Sequence, residues 1–429
     1  MLSQTVLPFK LAATEETLTA QGGLVLFGEF CRALGLAKWL DRELPSPGSG
    51  AGYAPSVHAL SLILTLHGGG RSLEDTRMLR ADAGLLQVLG LAAVPSSDAL
   101  GDWLRRTGAG AGMAGLNRVQ RHLLRRVLAK SERRCHTLDI DATQIVAEKA
   151  SARRTYTGEV GYMPIVGHLA ETGLVVGEEF REGNAAPAAG NLEFIRHCEG
   201  QLPAGHRIGA VRADSAAYQA AIINDCEARG KTFAIGADRD AAVRAAIAAI
   251  PAGDWTPWRD GEIAETVHTM NATAKAFRLV VVRRARQAEL FEEDGQRYRY
   301  TVVASNRDED APATMAFYCQ RGEASENRLK ELKLGFGMER LPCGQFAANA
   351  AFFRLGVLAY NLFKAFVRWT LDKRWRRCQV QTVRWRLYQS AAKVVSHAGA
   401  LYLKVSTQWL ALFESIRKRC WELTTEPIA

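Results

Sequence analysis

Hydrophobic and polar positions change their period twice along the chain. From about residue 20 to 130, apolar residues recur every three or four positions, the spacing of helices with one buried face. LVLFGEFCRALGLAKWLDREL follows it, and GYAPSVHALSLILTLHGGG ends in a glycine cluster that stops a helix. SLEDTRMLRAD opens on a Ser cap with Glu74 and Asp75 in its first turn, SSDALGDWLRRTG is a second capped helix, and LNRVQRHLLRRVLAK follows. Then the period shortens. HTLDIDATQIV predicts a strand, and YMPIVGHLAETGLVVGEEF predicts two strands joined by a turn at Glu171-Thr172-Gly173. NLEFIRHCEGQL predicts a helix, HRIGAVRAD a strand, AAYQAAIINDCEARG a helix and KTFAIGAD a strand. The order β-β-β-α-β-α-β predicts an α/β fold of three layers around a mixed sheet. From about Arg239 to Asp308 the segments ETVHTM, AFRLVVVRRAR and QRYRYTVVASN predict a mostly β insertion set apart from those layers. From Phe317 the pattern is helical again to near the end, with Trp and Arg interleaved.

These changes divide the chain into four regions. They are a helical N-terminal domain over 1–130, a core over 131–238 and 309–345, the insertion over 239–308, and a helical basic C-terminal region over 346–429. The apolar stretch AANAAFFRLGVLAYNLFKAF is interrupted by Asn349, Arg354, Asn361 and Lys364, so a buried helix is expected there and no membrane span.

Composition sharpens this picture in two places. With 48% hydrophobic and 23% charged residues over 429, the chain is expected to fold into two or three domains. Its net charge is +10, and the excess is concentrated: Tyr318 to the C-terminus carries 19 Lys and Arg against 8 Asp and Glu. A basic terminal region predicts an acidic partner, of which nucleic acid is the commonest. The eight cysteines are scattered and include no CxxC pair, a pattern that suits reduced cytosolic thiols rather than a disulfide framework or a zinc site. MLSQTVLPFK has no basic segment followed by an apolar one, so no signal peptide is expected.

Three acids carry the candidate chemistry. Asp141 closes the strand HTLDIDATQI, Asp214 follows the strand HRIGAVRADS, and Glu326 opens the basic helix ENRLKELK. Strand side chains alternate, so Asp139 and Asp141 share a face and compete as the first ligand. If the two strands lie side by side, their carboxylates meet at one edge of the sheet, where ligands gather. Asp214 also reads as the cap of SAAYQAAI. Glu326, Lys330 and Lys333 share a helix face, a pattern that suits a solvated charge stripe or a metal ligand flanked by phosphate holders; Tyr318 and Arg321 just upstream favour the second. Two strand aspartates and a helix glutamate are a set that can hold two divalent metals for phosphoryl transfer.

The run Tyr318-x2-Arg321-x4-Glu326-x6-Lys333 resembles the Tyr–Arg–Glu–Lys signature of DDE transposases of bacterial insertion sequences. DIDATQ resembles the first-aspartate strand of that family and VRADSAAY its second. GFGMERLPCGQFAANAAFFRLGVLAYNLF, HGGGRSLEDTRMLRAD and SAAKVVSHAGALYLKVS are similar to further segments of one branch, so the resemblance covers most of the chain. One spacing departs: the family has three residues between Arg and Glu, and this chain has four. On a continuous helix the extra residue turns Arg321 by roughly 100° relative to Glu326, and Gly322 is expected to set Arg321 ahead of the helix. Glu323 is the rival acid, because Glu323-x6-Lys330 repeats the last spacing.

The resemblance implies a ribonuclease H-like core with a β-strand insertion before the last acid. It implies Asp141, Asp214 and Glu326 as catalytic ligands of two Mg²⁺ (or Mn²⁺) ions, and Tyr318, Arg321, Lys330 and Lys333 as holders of DNA phosphate. Trp255 or Trp258 in the insertion would stack on a flipped base, or else pack the insertion's own core. The basic run Lys364, Arg368, Lys373, Arg374, Arg376, Arg377, Arg384 and Arg386 would contact DNA. The implied partners are double-stranded DNA, as terminal inverted repeats and as target, and a second copy of the chain in a homodimer on DNA, at the nucleoid of a bacterial cytoplasm. The implied reaction is cleavage at the element's ends and transfer of the 3′-hydroxyl to target DNA. The alternatives are a non-cutting DNA-binding protein of the same descent and a ribonuclease H-like nuclease without strand transfer.

Overall fold

Nine strands form one sheet in the structure, a computed structural model that describes residues 7, 9–48, 52–285 and 298–425. Numbered along the chain, its first five are β1 (Cys135–Ala142), β2 (Ile165–Leu169), β3 (Val175–Glu179), β4 (Arg207–Ala213) and β5 (Thr232–Gly236). They lie in the order β3-β2-β1-β4-β5. β1, β4 and β5 are parallel, and β2 and β3 are antiparallel to their neighbours. This is the ribonuclease H-like arrangement, with helices Asn191–Gln201 and Ala220–Ala228 as the crossovers to β4 and β5. β1 buries five residues in a row, His136 to Ile140, because both of its faces are covered. Gly167 and Gly177 permit that cover: a Cβ on either would stand 2.7 Å from Cys198 Sγ of the overlying helix.

The insertion is β-rich, but it is not set apart from the sheet. β6 (Thr256–Trp258), β7 (Gly261–His268), β8 (Phe277–Ala285) and β9 (Tyr298–Ser305) continue it beyond β5. β9 pairs with β5 through Val303 and Gly236, Ala304 and Ile235, and Ser305 and Ala234. The physical reason is the edge of β5, whose unpaired backbone groups would otherwise face outward. Asn306 Oδ1 accepts from Phe233 N at 2.8 Å and Ser305 Oγ donates to Phe233 O at 2.6 Å, which pins the returning chain to that edge.

The N-terminal region is helical as expected, with local departures. LVLFGEFCRALGLAKWLDREL is two helices, Leu24–Leu34 and Leu36–Glu43, broken where Gly35 takes φ 73°. Ser96 caps its helix by accepting from Ala99 N at 3.2 Å. Ser72 does not cap: the Asp75 carboxylate accepts from Arg71 N and Ser72 N at 2.7 and 2.9 Å, closing a loop, and the helix begins only at Thr76. The helical reading of the C-terminal region also fails in one place. Ala392–His397 and Ala400–Val405 form a hairpin, joined by Leu18–Thr19 as a third strand. Ala398 and Gly399 turn it at φ 49° and 77°, a two-residue loop whose Gly and flanking alternation are legible in KVVSHAGALYLKV.

Helix Phe346–Thr370 runs through the centre, and its most apolar window has a mean hydropathy of 1.4 and is 89% buried by the protein itself. The four polar residues that interrupt its apolar run are its anchors. Asn361 accepts from Val175 N at 2.9 Å and donates to Val175 O at 2.7 Å. Asn349 does the same for Cys343 at 2.9 and 2.8 Å. Arg354 pairs with Glu178, and Lys364 Nζ lies 2.7 Å from Glu331. One hydrophobic core joins this helix to the N-terminal helices and to the sheet.

Asn361→Ala leaves the buried Val175 N–H without an acceptor and opens a small void. The expected loss is about 2–4 kcal/mol, read as a lower urea midpoint at unchanged m-value. A midpoint equal to the parent's would show that water replaces the side chain there.

Candidate active site

The parallel pairing of β1 with β4 sets Asp139 opposite Arg212. Two residues further on, Asp141 and Asp214 stand at the C-terminal ends of these adjacent strands. Asp141 is the penultimate residue of β1, with its side chain 16% exposed. Asp214 lies just past β4, and the capping reading holds for one of its oxygens: Oδ1 accepts from Ala216 N at 3.1 Å, heading the short turn Ser215–Ala217. Its other oxygen, Oδ2, faces Arg321.

Helix Ala311–Lys330 crosses this edge, capped by Asp310, which accepts from Ala313 N at 2.8 Å. One guanidinium nitrogen of Arg321 is 3.2 Å from Asp141 Oδ1, 3.8 Å from Asp214 Oδ2 and 3.3 Å from Ile140 O. The same side chain has a buried Nε without a hydrogen-bond partner. The expectation that Gly322 sets Arg321 ahead of the helix is not met, because Arg321 and Gly322 both lie inside it. Five positions apart on one helix, Arg321 and Glu326 point about 140° apart, and the length of the arginine side chain carries its charge to the aspartates. Glu326 is exposed, yet near enough that its charge acts on Asp141. The Glu323 side chain lies outside the described residues.

Burial pushes the Asp141 carboxyl up to about 6; Arg321 opposes the shift, and the charges of Asp214 and Glu326 add to it. Tyr318 is likewise raised by burial, with Arg321 opposing and Asp214 adding. Gly236 makes room for Tyr318: a Cβ there would lie 2.8 Å from its hydroxyl. Lys333 reaches the loop after β1, donating to Gln144 O at 2.8 Å and lying 3.3 Å from Thr143 Oγ1. Lys330 is exposed at the helix end.

Asp139 plays a different part from Asp141. It is fully buried and held by Arg212, with Nε at 2.7 Å from Oδ1 and Nη2 at 2.9 Å from Oδ2. Neither Arg212 nor Arg328, which approaches Asp139 to 3.8 Å, was singled out from sequence. Strand alternation puts Arg212 on the face of Asp214, but the partner of Arg212 depends on strand order. Of the two tryptophans, Trp255 is buried with the Arg283 guanidinium 4.0 Å from its ring centre. Trp258 is half-buried against the small cluster of Ala234, Ile263, Val280, Val282, Val303 and Met315, with Arg259 4.5 Å from its ring. Both are packed in the insertion in this conformation.

Among the described residues, no three His, Cys, Asp or Glu side chains stand close enough together to hold one metal ion. The carboxylates of Asp141, Asp214 and Glu326 are hard oxygen donors, of the kind that magnesium or manganese prefers. The place between the two aspartates already holds a positive charge, that of Arg321.

The raised value of Asp141 has a consequence for stability. Well below pH 4 the carboxyl is protonated in both folded and unfolded chains and costs nothing; the penalty on the folded state grows between about pH 4 and 6 and is complete well above pH 6, where the group is ionised in both. In the absence of divalent ions, Asp141→Asn is therefore expected to stabilise the chain by about 1–3 kcal/mol more above pH 6 than below pH 4. Urea midpoints in EDTA at the two pH values test this, and equal shifts at both would contradict it.

The family described as transposase DDE domain group 1 matches residues 7–420. A search of curated proteins found no significant match. Among solved structures the chain is similar to piggyBac transposase in a cryo-EM synaptic complex with hairpin DNA, at 10% identity and a TM-score of 0.47, over 96% of this chain and 83% of that one. With the family match spanning nearly its whole length, the chain belongs to the DDE transposases.

Proposed function

We propose that this protein is a DNA transposase that cleaves the ends of an insertion sequence and joins the 3′-hydroxyl to target DNA, with Asp141, Asp214 and Glu326 as its catalytic acids. The observation that carries this reading is the meeting of Asp141 and Asp214 at one cationic nitrogen, at the ends of adjacent strands of a ribonuclease H-like sheet. The bidentate arginine on Asp139 favours Asp141 as the first of the set.

Asp141, Asp214 and Glu326 would hold two Mg²⁺ or Mn²⁺ ions. When bound, the ions supply an activated oxygen nucleophile and neutralise the leaving oxygen. Arg321, once released from the aspartates, has the planar fork that holds a phosphate. Tyr318 borders the acids, and Lys333 ties the loop after β1 to the helix that carries Glu326.

DNA contact by the C-terminal region rests on fewer residues than the sequence suggests. Lys364 is bound to Glu331, and Arg384 is buried, donating to Leu66 O and Gly335 O at 2.6 Å and to His67 O at 2.8 Å. Arg368, Lys373, Arg374, Arg376, Arg377 and Arg386 are exposed. Arg377 lines the same cavity as Gln320 and Asn327, so the basic run adjoins the helix that carries Glu326. Two element ends must be held together for strand transfer, and two copies of the chain on DNA meet that need.

The acids are tested on a plasmid carrying the gene with its own flanking DNA. Asp141→Asn, Asp214→Asn and Glu326→Gln are each expected to slow single-turnover cleavage by about 10³-fold or more. DNA affinity is expected to stay within about threefold of the parent's. Full-rate cleavage by any one of them removes that residue from the set.

A second reading rests on Arg321 itself. If its guanidinium holds the two aspartates permanently, the chain binds DNA without cutting it. Mn²⁺ binding followed by electron paramagnetic resonance separates the two readings. The cutting enzyme binds Mn²⁺, and Arg321→Ala, which removes a competing cation, binds it roughly tenfold more tightly. The non-cutting protein binds Mn²⁺ only after Arg321 is removed.

A further inference from the structure

We infer that Asp139 is a positioning residue: a buried carboxylate that, through Arg212 and Arg328, sets where helix Ala311–Lys330 stands over β1. The role rests on the transposase reading for its effect on rate, and on geometry alone for its effect on the helix.

Asp139 is completely buried in the middle of β1. Arg212, in register with it on β4, uses two nitrogens to grip both carboxylate oxygens. The third nitrogen, Nη1, donates to Phe317 O at 2.7 Å, a backbone carbonyl inside the helix, and lies 3.4 Å from Gln320 Oε1. The guanidinium also lies over the Phe317 ring, 4.7 Å from its centre. Further along the same helix, Arg328 donates to Ala170 O at 2.5 Å, just past β2, with its other terminal nitrogen 3.4 Å from Leu169 O and 3.8 Å from Asp139 Oδ2. One carboxylate thus joins two strands to two points on the helix, about three turns apart. Tyr318, Arg321 and Glu326 all lie between those points.

Two buried charges with a third partly buried are a costly way to hold two elements together, and apolar packing of similar volume often holds them as firmly. What the triad supplies is direction. A guanidinium fork meets a carboxylate in one plane, so the helix is held at one height and one register. An error of about 1 Å in the placing of catalytic groups is enough to cost roughly 10²-fold in rate.

The test uses the full chain with three changes: Asp139→Asn, Arg212→Lys, and the charge-free pair Asp139→Leu with Arg212→Met. The pair is expected to keep its melting temperature within about 4 °C of the parent's. It should keep the parent's Mn²⁺ stoichiometry, keep DNA affinity within about threefold, and cut about 10²-fold more slowly. Amide hydrogen exchange should rise at least about tenfold in the peptide covering Ala311–Lys330 and stay unchanged in Phe346–Thr370. If the pair does not fold, Arg212→Lys, which retains the charge and loses the fork, is expected to give the same exchange pattern. A stable pair with parental rate and parental exchange overturns the inference. So does an Asp139→Asn chain that binds one Mn²⁺ fewer, which would make Asp139 a ligand. A parent that does not cut DNA sinks the transposase reading alone, because the exchange pattern still decides the role of Asp139.

Discussion

The parallel register between β1 and β4 is the constraint on which the site depends. It places Asp139 against Arg212 in the interior and brings Asp141 and Asp214 to the edge two residues later. Both pairs follow from one hydrogen-bonded ladder, because a strand repeats its facing every second residue. A slip of β4 by one residue would turn Arg212 and Asp214 to the face opposite Asp139 and Asp141 and separate both pairs.

The same ladder separates two environments for two aspartates on one strand. Asp139 meets a guanidinium fork and is satisfied at both oxygens. Asp141 is largely buried beside two other acids and meets one shared nitrogen, so its charge is poorly compensated and its carboxyl rises to about 6. Sites that bind a cation commonly carry such uncompensated charge, at the expense of the stability of the empty fold. Arg321 relieves part of that charge, and the unpartnered Nε of the same side chain leaves it less firmly held than Arg212.

Around the sheet, polar groups set position while apolar groups supply cohesion. Helix Phe346–Thr370 is apolar enough to cross a membrane by composition, yet its Asn361, Asn349, Arg354 and Lys364 reach partners on the sheet, the preceding loop and the adjoining turn. Arg384 plays a similar part between the N-terminal helix Pro55–Gly68 and the turn that follows the acid-bearing helix. Residues that read as basic DNA contacts in a linear run are thereby divided between the interior and the surface.

Much of this was legible in the chain. Apolar periodicity determined the order of elements through the core, the turn at Gly173 and the strand-end positions of Asp141 and Asp214, because burial on a helix or strand leaves a period that neighbours alone can express. The hairpin of Ala392–His397 and Ala400–Val405 carried its signal in Ala398 and Gly399 but was masked by the helical stretches on either side. Tertiary structure alone decided that Asp139 belongs to Arg212, that Arg321 stands between two aspartates, and that the insertion extends the sheet. Each of these joins residues about 70 to 180 positions apart in the chain. Local spacing cannot carry such pairings, because they depend on which strands become neighbours and in which register, and that is settled only when the whole sheet is assembled.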